Sequence, residues 1–243
     1  MKAYFISDIH LYSMEDPKAG ILLRFLRSLD RETTHLFLMG DIFDLWVADH
    51  TLFATRYAPL VHEIVNLVRR GVEVHYFEGN HDLHLKEFWQ DRMGAIVHEG
   101  PVYLELGDKT FRLAHGDETN PEDRVYRFQR WTLRTRFIEA VCFNLPSAAV
   151  NFVGERWSGH SRKKRPYVNE PVKQRARRFA EEKAAERPFD YMICGHTHMR
   201  DEHVFKSGGR EARYINLGTW LVQPAALEIT SDTIQFIDLD QPA

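Results

Sequence analysis

Five short clusters of histidine and aspartate, each set directly behind an apolar run, constrain this chain more than any other feature. They are Asp8-Ile9-His10, Gly40-Asp41-Ile42-Phe43-Asp44, Gly79-Asn80-His81-Asp82, His115-Gly116-Asp117 and Gly195-His196-Thr197-His198. The runs at 3–7, 34–39, 72–78 and 189–194 are rich in Phe, Tyr, Ile, Leu and Val, and each ends at a cluster. Between the early runs the apolar period becomes helical: Leu22, Leu23, Phe25, Leu26 and Leu29 in 19–29, then Leu60, Val61, Ile64, Leu67 and Val68 in 59–70. Alternating strand and helix predicts an α/β sheet whose polar loops gather beyond the strand ends. From residue 201 the pattern shortens to hairpin-like pieces at 202–206, 211–217, 225–230 and 233–238, with Ser207-Gly208-Gly209 as a turn. A β tail after an α/β half predicts two packed sheets flanked by helices.

Segment 121–187 stands apart. It holds 16 of the 32 Lys and Arg residues but 8 of the 35 Asp and Glu, a formal charge of +8 against −11 for the rest. Val125, Phe128, Trp131 and Leu133 lie near helical spacing, an apolar stretch runs from Phe137 to Val153, and 170–187 form a second charged helix. The expected organisation is a core of 1–120 and 188–243 interrupted by a basic and apolar helical cap at 121–187. No apolar stretch approaches the ~20 residues that span a bilayer. The first strand is expected to begin at once, a pattern that predicts no signal peptide. Cys142 and Cys194 form no disulfide framework or zinc-ligand spacing, as expected of a reducing cytoplasm.

The clusters together supply carboxylate, imidazole and amide donors in the number that two divalent ions need. Asp8 and His10, two apart at a strand end, are expected to point to one side and share an ion. Asp41, with two anionic oxygens, is the natural bridge, and Asn80 offers a neutral carbonyl oxygen. The expected allocation is Asp8, His10, Asp41 and His198 on one ion, and Asp41, Asn80, His115 and His196 on the other. Two such cations would acidify a bridging water and clamp phosphoryl oxygens. His81, beside a ligand but not needed as one, is the candidate acid or charge stabiliser, with Asp44 to orient it. Asp82 and Asp117 are expected to shape the loops. Any one cluster alone could be an ordinary polar turn; all five in order cannot be read that way.

These residues resemble the calcineurin-like metallophosphoesterase superfamily, whose motifs run DxH, GDxxD, GNH(D/E), a histidine followed by glycine, and GHTH. The resemblance spans nearly the whole chain. It implies a four-layer αββα sandwich, a dinuclear site often filled by Mn²⁺, Fe or Zn²⁺, and phosphomonoester or diester hydrolysis. A narrower resemblance, carried by Gly40-Asp41-Ile42-Phe43-Asp44-Leu45-Trp46 and by His115-Gly116-Asp117 with Asp123, Tyr126, Phe128 and Arg130, is to the UDP-2,3-diacylglucosamine pyrophosphohydrolases of lipid A synthesis. In that family a helical cap accommodates two acyl chains, and water attacks the α-phosphorus to release UMP. The likeness implies substrate contacts at Asn80, Asp123, Tyr126, Arg130, Ser158, Ser161 and Lys164. Well-known members of that lipid enzyme family carry arginine after the asparagine of the third motif; His81 stands there in this chain.

The cap suits such a substrate. Phe137, Ile138, Val141, Phe143, Leu145, Val150 and Phe152 could line an apolar trough, and Arg162, Lys163, Lys164 and Arg165 could face a diphosphate or the anionic inner membrane face. The bland alternative is a cap with its own core and a solvated basic loop. The reading carried forward is a cytoplasmic, Mn²⁺-favouring hydrolase of a glycolipid nucleotide, peripheral at the membrane, with no nucleic acid partner. A soluble metallophosphatase or phosphodiesterase on nucleotides or phosphoproteins is the second reading, and a non-catalytic membrane or partner scaffold the third.

Overall fold

The computed structural model describes residues 1–119, 131–146, 149, 152 and 169–240. Two sheets face each other. The first has six strands in the order β13-β12-β1-β2-β4-β6, formed by Ile234–Asp238, Ala225–Thr230, Lys2–Ile6, His35–Leu38, Glu73–Phe77 and Ile96–His98. The second has five, β10-β11-β9-β8-β7, formed by Asp201–Ser207, Arg210–Asn216, Tyr191–Cys194, Lys109–Leu113 and Val102–Leu106. A two-stranded ribbon pairs β3 (Trp46–Val47) with β5 (Asp82–Leu83).

Side-chain alternation explains the layering. In β1, Tyr4 and Ile6 face a helical layer while Ala3 and Phe5 face the second sheet. Leu36 and Leu38 against Phe37 in β2 repeat that division, as do Val74 and Tyr76 against Phe77 in β4. Strands apolar on both faces belong inside a parallel sheet covered on both sides. The outer layer comprises α1 (Pro17–Ser28), α2 (Thr51–Arg56) and α3 (Ala58–Arg69). Asp16 caps α1 by accepting from Lys18 N at 3.0 Å, and Pro17 at the first helical position needs no amide partner. The helix then buries Ala19, Ile21, Leu22, Phe25 and Leu26.

The helix Glu170–Glu186, which the charge pattern groups with the cap, covers the second sheet. Ala176, Phe179, Ala180 and Ala184 pack on Met192, Cys194, Ala212 and Tyr214, and Arg177 makes a two-pronged ion pair with Asp201 at 2.6 and 2.9 Å. Helices, sheet, sheet and helix give the expected four-layer αββα sandwich. The β tail divides between the sheets, β10-β11 extending one and β12-β13 the other. Strands 96–98, 102–106 and 109–113 and the π-helical turn Lys86–Arg92 were not foreseen in the sequence. No helix among the described residues is long and apolar enough to cross a membrane.

Register places the site. Ile6 pairs with Leu38, Leu38 with Tyr76, and Leu113 with Ile193, so the carboxyl ends of five parallel-paired strands finish level. Each of the five clusters begins within three residues of such an end.

One polar feature inside the sandwich has a measurable consequence. His75 Nδ1 lies 2.9 Å from His98 Nε2, and His75 stacks on Phe37 at 4.6 Å. Burial pushes the His75 imidazole down to about 3 and His98 to about 4. Both must stay neutral in the folded state, whereas the unfolded chain protonates them near pH 6.5. Their contribution is therefore complete above pH 6.5 and is lost as pH falls toward 4. The expected loss by pH 5 is about 1–2 kcal/mol, discounted for the partial exposure of His98. Urea unfolding of His75→Phe at pH 5 and pH 8 checks this: the variant should lose less stability on acidification than the wild type, even if losing the hydrogen bond weakens it at pH 8.

Candidate metal centre

The ligand loops are not extended. Asp8 (φ 51°), His10 (φ 48°), Asp41 (φ 53°), His196 (φ 67°) and His198 (φ 60°) all adopt left-handed backbone. Each such non-glycine residue costs roughly 1 kcal/mol and persists only where its surroundings enforce it. Asp8 and His10 do reach one side, but by two left-handed turns around a fully buried Ile9 rather than by strand pleat. The first two loops run together through Asp8 N–H to Gly40 O (3.1 Å), His10 N–H to Asp41 O (3.0 Å) and Leu11 N–H to Ile42 O (3.0 Å).

Asp8 is completely buried. Its Oδ2 accepts from Ser7 Oγ and from His196 N–H at 2.9 Å. Its Oδ1 receives no hydrogen bond and lies 3.1 Å from His198 Nε2. His10 Nε2 is 3.0 Å from His198 Nε2 and 3.8 Å from Asp41 Oδ2. The donor atoms of Asp8, His10, Asp41 and His198 all lie within 4.8 Å of one another. Bonds of ~2.1 Å at right angles to a common ion separate neighbouring donors by about 3 Å, so this donor set fits a divalent cation.

Asp41 divides its oxygens. Oδ1 accepts the amides of Asn80 (2.7 Å) and His81 (3.0 Å). Oδ2 sits 3.8 Å from His10 Nε2 on one side and 3.6 Å from His115 Nε2 on the other. Beyond it, His115 Nε2 is 3.3 Å from His196 Nδ1, and the Asn80 amide is 2.9 Å from the same nitrogen. His115 Nδ1–H donates to Met39 O at 2.8 Å, which fixes the ring with Nε2 facing the site. The seven residues expected as ligands thus form one cluster in two halves that meet at Asp41.

The electrostatics follow from burial. Desolvation opposes ionisation of Asp41, yet His115, His81 and His10 hold its carboxyl well below the usual range. Asp8 is likewise depressed against its burial, chiefly by His198. Burial pushes His10 and His196 down to about 4, which keeps both imidazoles neutral. His115 rises to about 9 because Asp41 and Asp8 outweigh its desolvation. Two buried anions surrounded by histidines call for positive charge between them.

Several supports follow from chemistry visible in the sequence. Asp82 accepts Gly79 N–H (2.8 Å) and Asp41 N–H (3.0 Å) on one oxygen, and Ile42 N–H (2.9 Å) and Tyr76 Oη–H (2.8 Å) on the other. It therefore ties the second loop to the third. A Cβ at Gly195 would collide with Asp8 Oδ2 and Ser7 Oγ, and one at Gly79 with Asp41. Other supports were missed. Lys18 Nζ donates to Ile9 O (2.6 Å) and His10 O (3.0 Å), Asn216 Nδ2 to Gly195 O (2.7 Å), and Thr219 Oγ to Asp8 O (2.8 Å). All three act on main-chain carbonyls, which leave no mark in side-chain spacing.

His81 Nδ1–H donates to the main-chain carbonyl of Asp44 at 2.9 Å, so Asp44 orients it through backbone. The Asp44 carboxylate also lies in a group with His10 and His81 whose donor atoms are within 4.8 Å of one another. The ring of His81 stands edge-on to His10, with centroids 4.9 Å apart. Asp117 is buried beside these loops and helps raise His115. Asp123, Tyr126, Arg130, Ser158, Ser161 and Lys164 lie outside the described residues, as does the basic run 162–165.

The sequence profile of the calcineurin-like phosphoesterases matches residues 1–200. A protein of Porphyromonas gingivalis named UDP-2,3-diacylglucosamine hydrolase is 32% identical over 240 residues, covering 90% of each chain. Proteins of the same name from Aeromonas hydrophila and Haemophilus influenzae are 27% and 25% identical, covering at least 90% of each chain. Among solved structures, a novel archaeal phosphodiesterase superposes with a TM-score of 0.51 at 16% identity, covering 98% of this chain and 99% of its own; it shares the fold. With its five motif loops gathered at the strand ends and a profile match across most of its length, this chain belongs to the calcineurin-like phosphoesterase family and is a metal-dependent phosphoester hydrolase.

Proposed function

We propose that this chain hydrolyses the diphosphate of UDP-2,3-diacylglucosamine, releasing UMP and 2,3-diacylglucosamine 1-phosphate. The observation that carries the reading is the helix Arg136–Asn144. None of its side chains is fully buried, and Phe137 is 75% exposed. Trp131 and Phe152 stand 64% and 63% exposed beside it in the sequence. A helix with its own core would hide these residues; one that receives acyl chains leaves them open. The similarity to the named relatives spans this segment as well as the site.

In this reading Asp8, His10, Asp41 and His198 hold one divalent cation and Asp41, Asn80, His115 and His196 a second, with Mn²⁺ favoured over Fe or Zn. The bound pair supplies an activated water nucleophile and neutralises charge on the phosphoryl oxygens. The chain's residues do the rest. Asp41, fixed by two amides on one oxygen, keeps the two halves of the site at a set distance. His81, its Nδ1–H committed to Asp44 O, presents Nε2 to the substrate as proton donor or as cation beside the leaving phosphate. Water adds to the α-phosphorus, the bond to the bridging oxygen breaks, and His81 assists the departing sugar phosphate. The apolar cap residues support peripheral contact with the inner membrane face in place of a spanning helix.

Purified protein with Mn²⁺, UDP-2,3-diacylglucosamine and detergent should release UMP, and a chelator should abolish it. Turnover of simple diesters without UMP would leave a two-metal phosphodiesterase and remove the lipid substrate. His81→Ala should lower turnover about 10²–10⁴-fold with metal content unchanged; full activity would remove its assigned role. Asp41→Ala should lose both ions by elemental analysis, since its carboxylate serves both halves. Retention of two ions would refute the bridge.

A further inference from the structure

The helix Arg136–Asn144 buries no side chain fully, so polar contacts to the core carry a large part of its attachment. Among the described residues, the helix and the segment leading into it are attached by hydrogen bonds to main-chain carbonyls and by the Glu139 carboxylate, 3.9 Å from His84 Nδ1. His50 Nε2–H donates to Cys142 O at 2.7 Å, and His84 Nε2–H donates to Leu133 O at 3.0 Å. Arg134 Nη2 reaches Glu78 O at 3.3 Å, with the Glu78 carboxylate 3.8 Å away. Both histidines are buried.

Their location connects these tethers to the chemistry. The β3–β5 ribbon is zipped by Trp46 N–H to His81 O (2.8 Å) and Ala48 N–H to Leu83 O (3.0 Å). One end of the ribbon carries Asp44 and His81. At the other end the chain turns through left-handed backbone at Ala48 (φ 57°) and His84 (φ 55°), then presents His50 and His84 to the helix. A β-carbon residue held left-handed at such a turn signals an enforced side-chain direction.

We infer that His50 and His84 are positioning residues: they mount the helix Arg136–Asn144 on the same ribbon that carries His81, so that the lipid part of the substrate is presented in register with the site. The lipid half of this inference rests on the proposed function; the tether itself does not. A backbone carbonyl as acceptor makes these two hydrogen bonds independent of the side chains at Cys142 and Leu133. It requires a donor at the tip of a side chain of imidazole length, which glutamine supplies and leucine does not.

The test compares wild type, His50→Leu, His84→Leu, the double variant, and the glutamine variants at each position. Hydrogen exchange over residues 136–144 should quicken about tenfold or more in the leucine variants and return toward wild type with glutamine. KM for UDP-2,3-diacylglucosamine should rise about tenfold while kcat/KM for a small diester such as bis(p-nitrophenyl) phosphate stays within about twofold. The single variants keep the test standing if the double variant fails to fold. Unchanged exchange overturns the tether, and equal loss on both substrates overturns the positioning role. Glutamine variants behaving like leucine overturn the hydrogen bonds as the agent. If the wild type releases no UMP, the substrate reading fails, and the exchange measurement still decides the tether.

Discussion

Two carboxylates, Asp8 and Asp41, are ionised where water does not reach, and the rest of the site is arranged around that cost. An isolated buried carboxylate would take up a proton. Here an amide and the Ser7 hydroxyl satisfy one oxygen of Asp8, and two amides satisfy one oxygen of Asp41, while the other oxygen of each faces the imidazoles of the site, where a cation would sit. The division is the same in both residues, and it makes the ligand oxygens directional. A carboxylate free to rotate could chelate one ion with both oxygens; Asp41, pinned at Oδ1, can only reach outward through Oδ2, toward both His10 and His115.

That pinning depends on loops approaching more closely than side chains ordinarily permit. Gly195 lets the fifth loop pass against Asp8 and Ser7, and Gly79 lets the third press on Asp41. Asp82 then stitches the third loop to the second through the Asp41 and Ile42 amides, and to β4 through Tyr76. Burial pushes its carboxyl up to about 6, with the Asp41 charge adding to the rise, so even this support is affected by the anion it positions. The left-handed conformations of five of the expected ligand residues are sustained by the same mesh. Local backbone preference is overridden because each loop leaves the carboxyl end of a strand in a level row and is tied to its neighbours there.

Much of this was legible in the sequence because cation chemistry admits few residue types. Asp8, His10, Asp41, Asn80, His115, His196 and His198 are conspicuous by identity, and the apolar runs before them place them at strand ends. The route by which Asp8 and His10 converge was not legible, since a pleated strand and a pair of left-handed turns both put residues two apart on one side. Supports that act on carbonyls, Lys18, Asn216 and Thr219, were invisible for a related reason: the sequence records the donor but not the acceptor. The helix Glu170–Glu186 illustrates a different limit. Its charge resembles that of the preceding basic segment, while its buried stripe is mostly alanine, too weakly apolar to announce the sheet beneath it. His75 could not be recognised as a core residue paired with His98 until the sheet brought the two strands together.

The ribbon of β3 and β5 shows how a small element can join two tasks. It has only two residues in each strand, too few to be stable alone. Its stability is borrowed from Trp46, fully buried among Phe43, Phe53, Tyr57, Phe88 and Trp89. That aromatic cluster lies on the helical side of the first sheet, and large buried aromatics resist displacement strongly. A histidine proposed to act on the substrate needs a fixed direction more than it needs a long strand, and a helix with exposed apolar groups needs an anchor that does not compete for those groups. Main-chain hydrogen bonds from a ribbon seated on an aromatic core meet both requirements, and in the proposed reading they leave the helix's apolar side chains to the lipid.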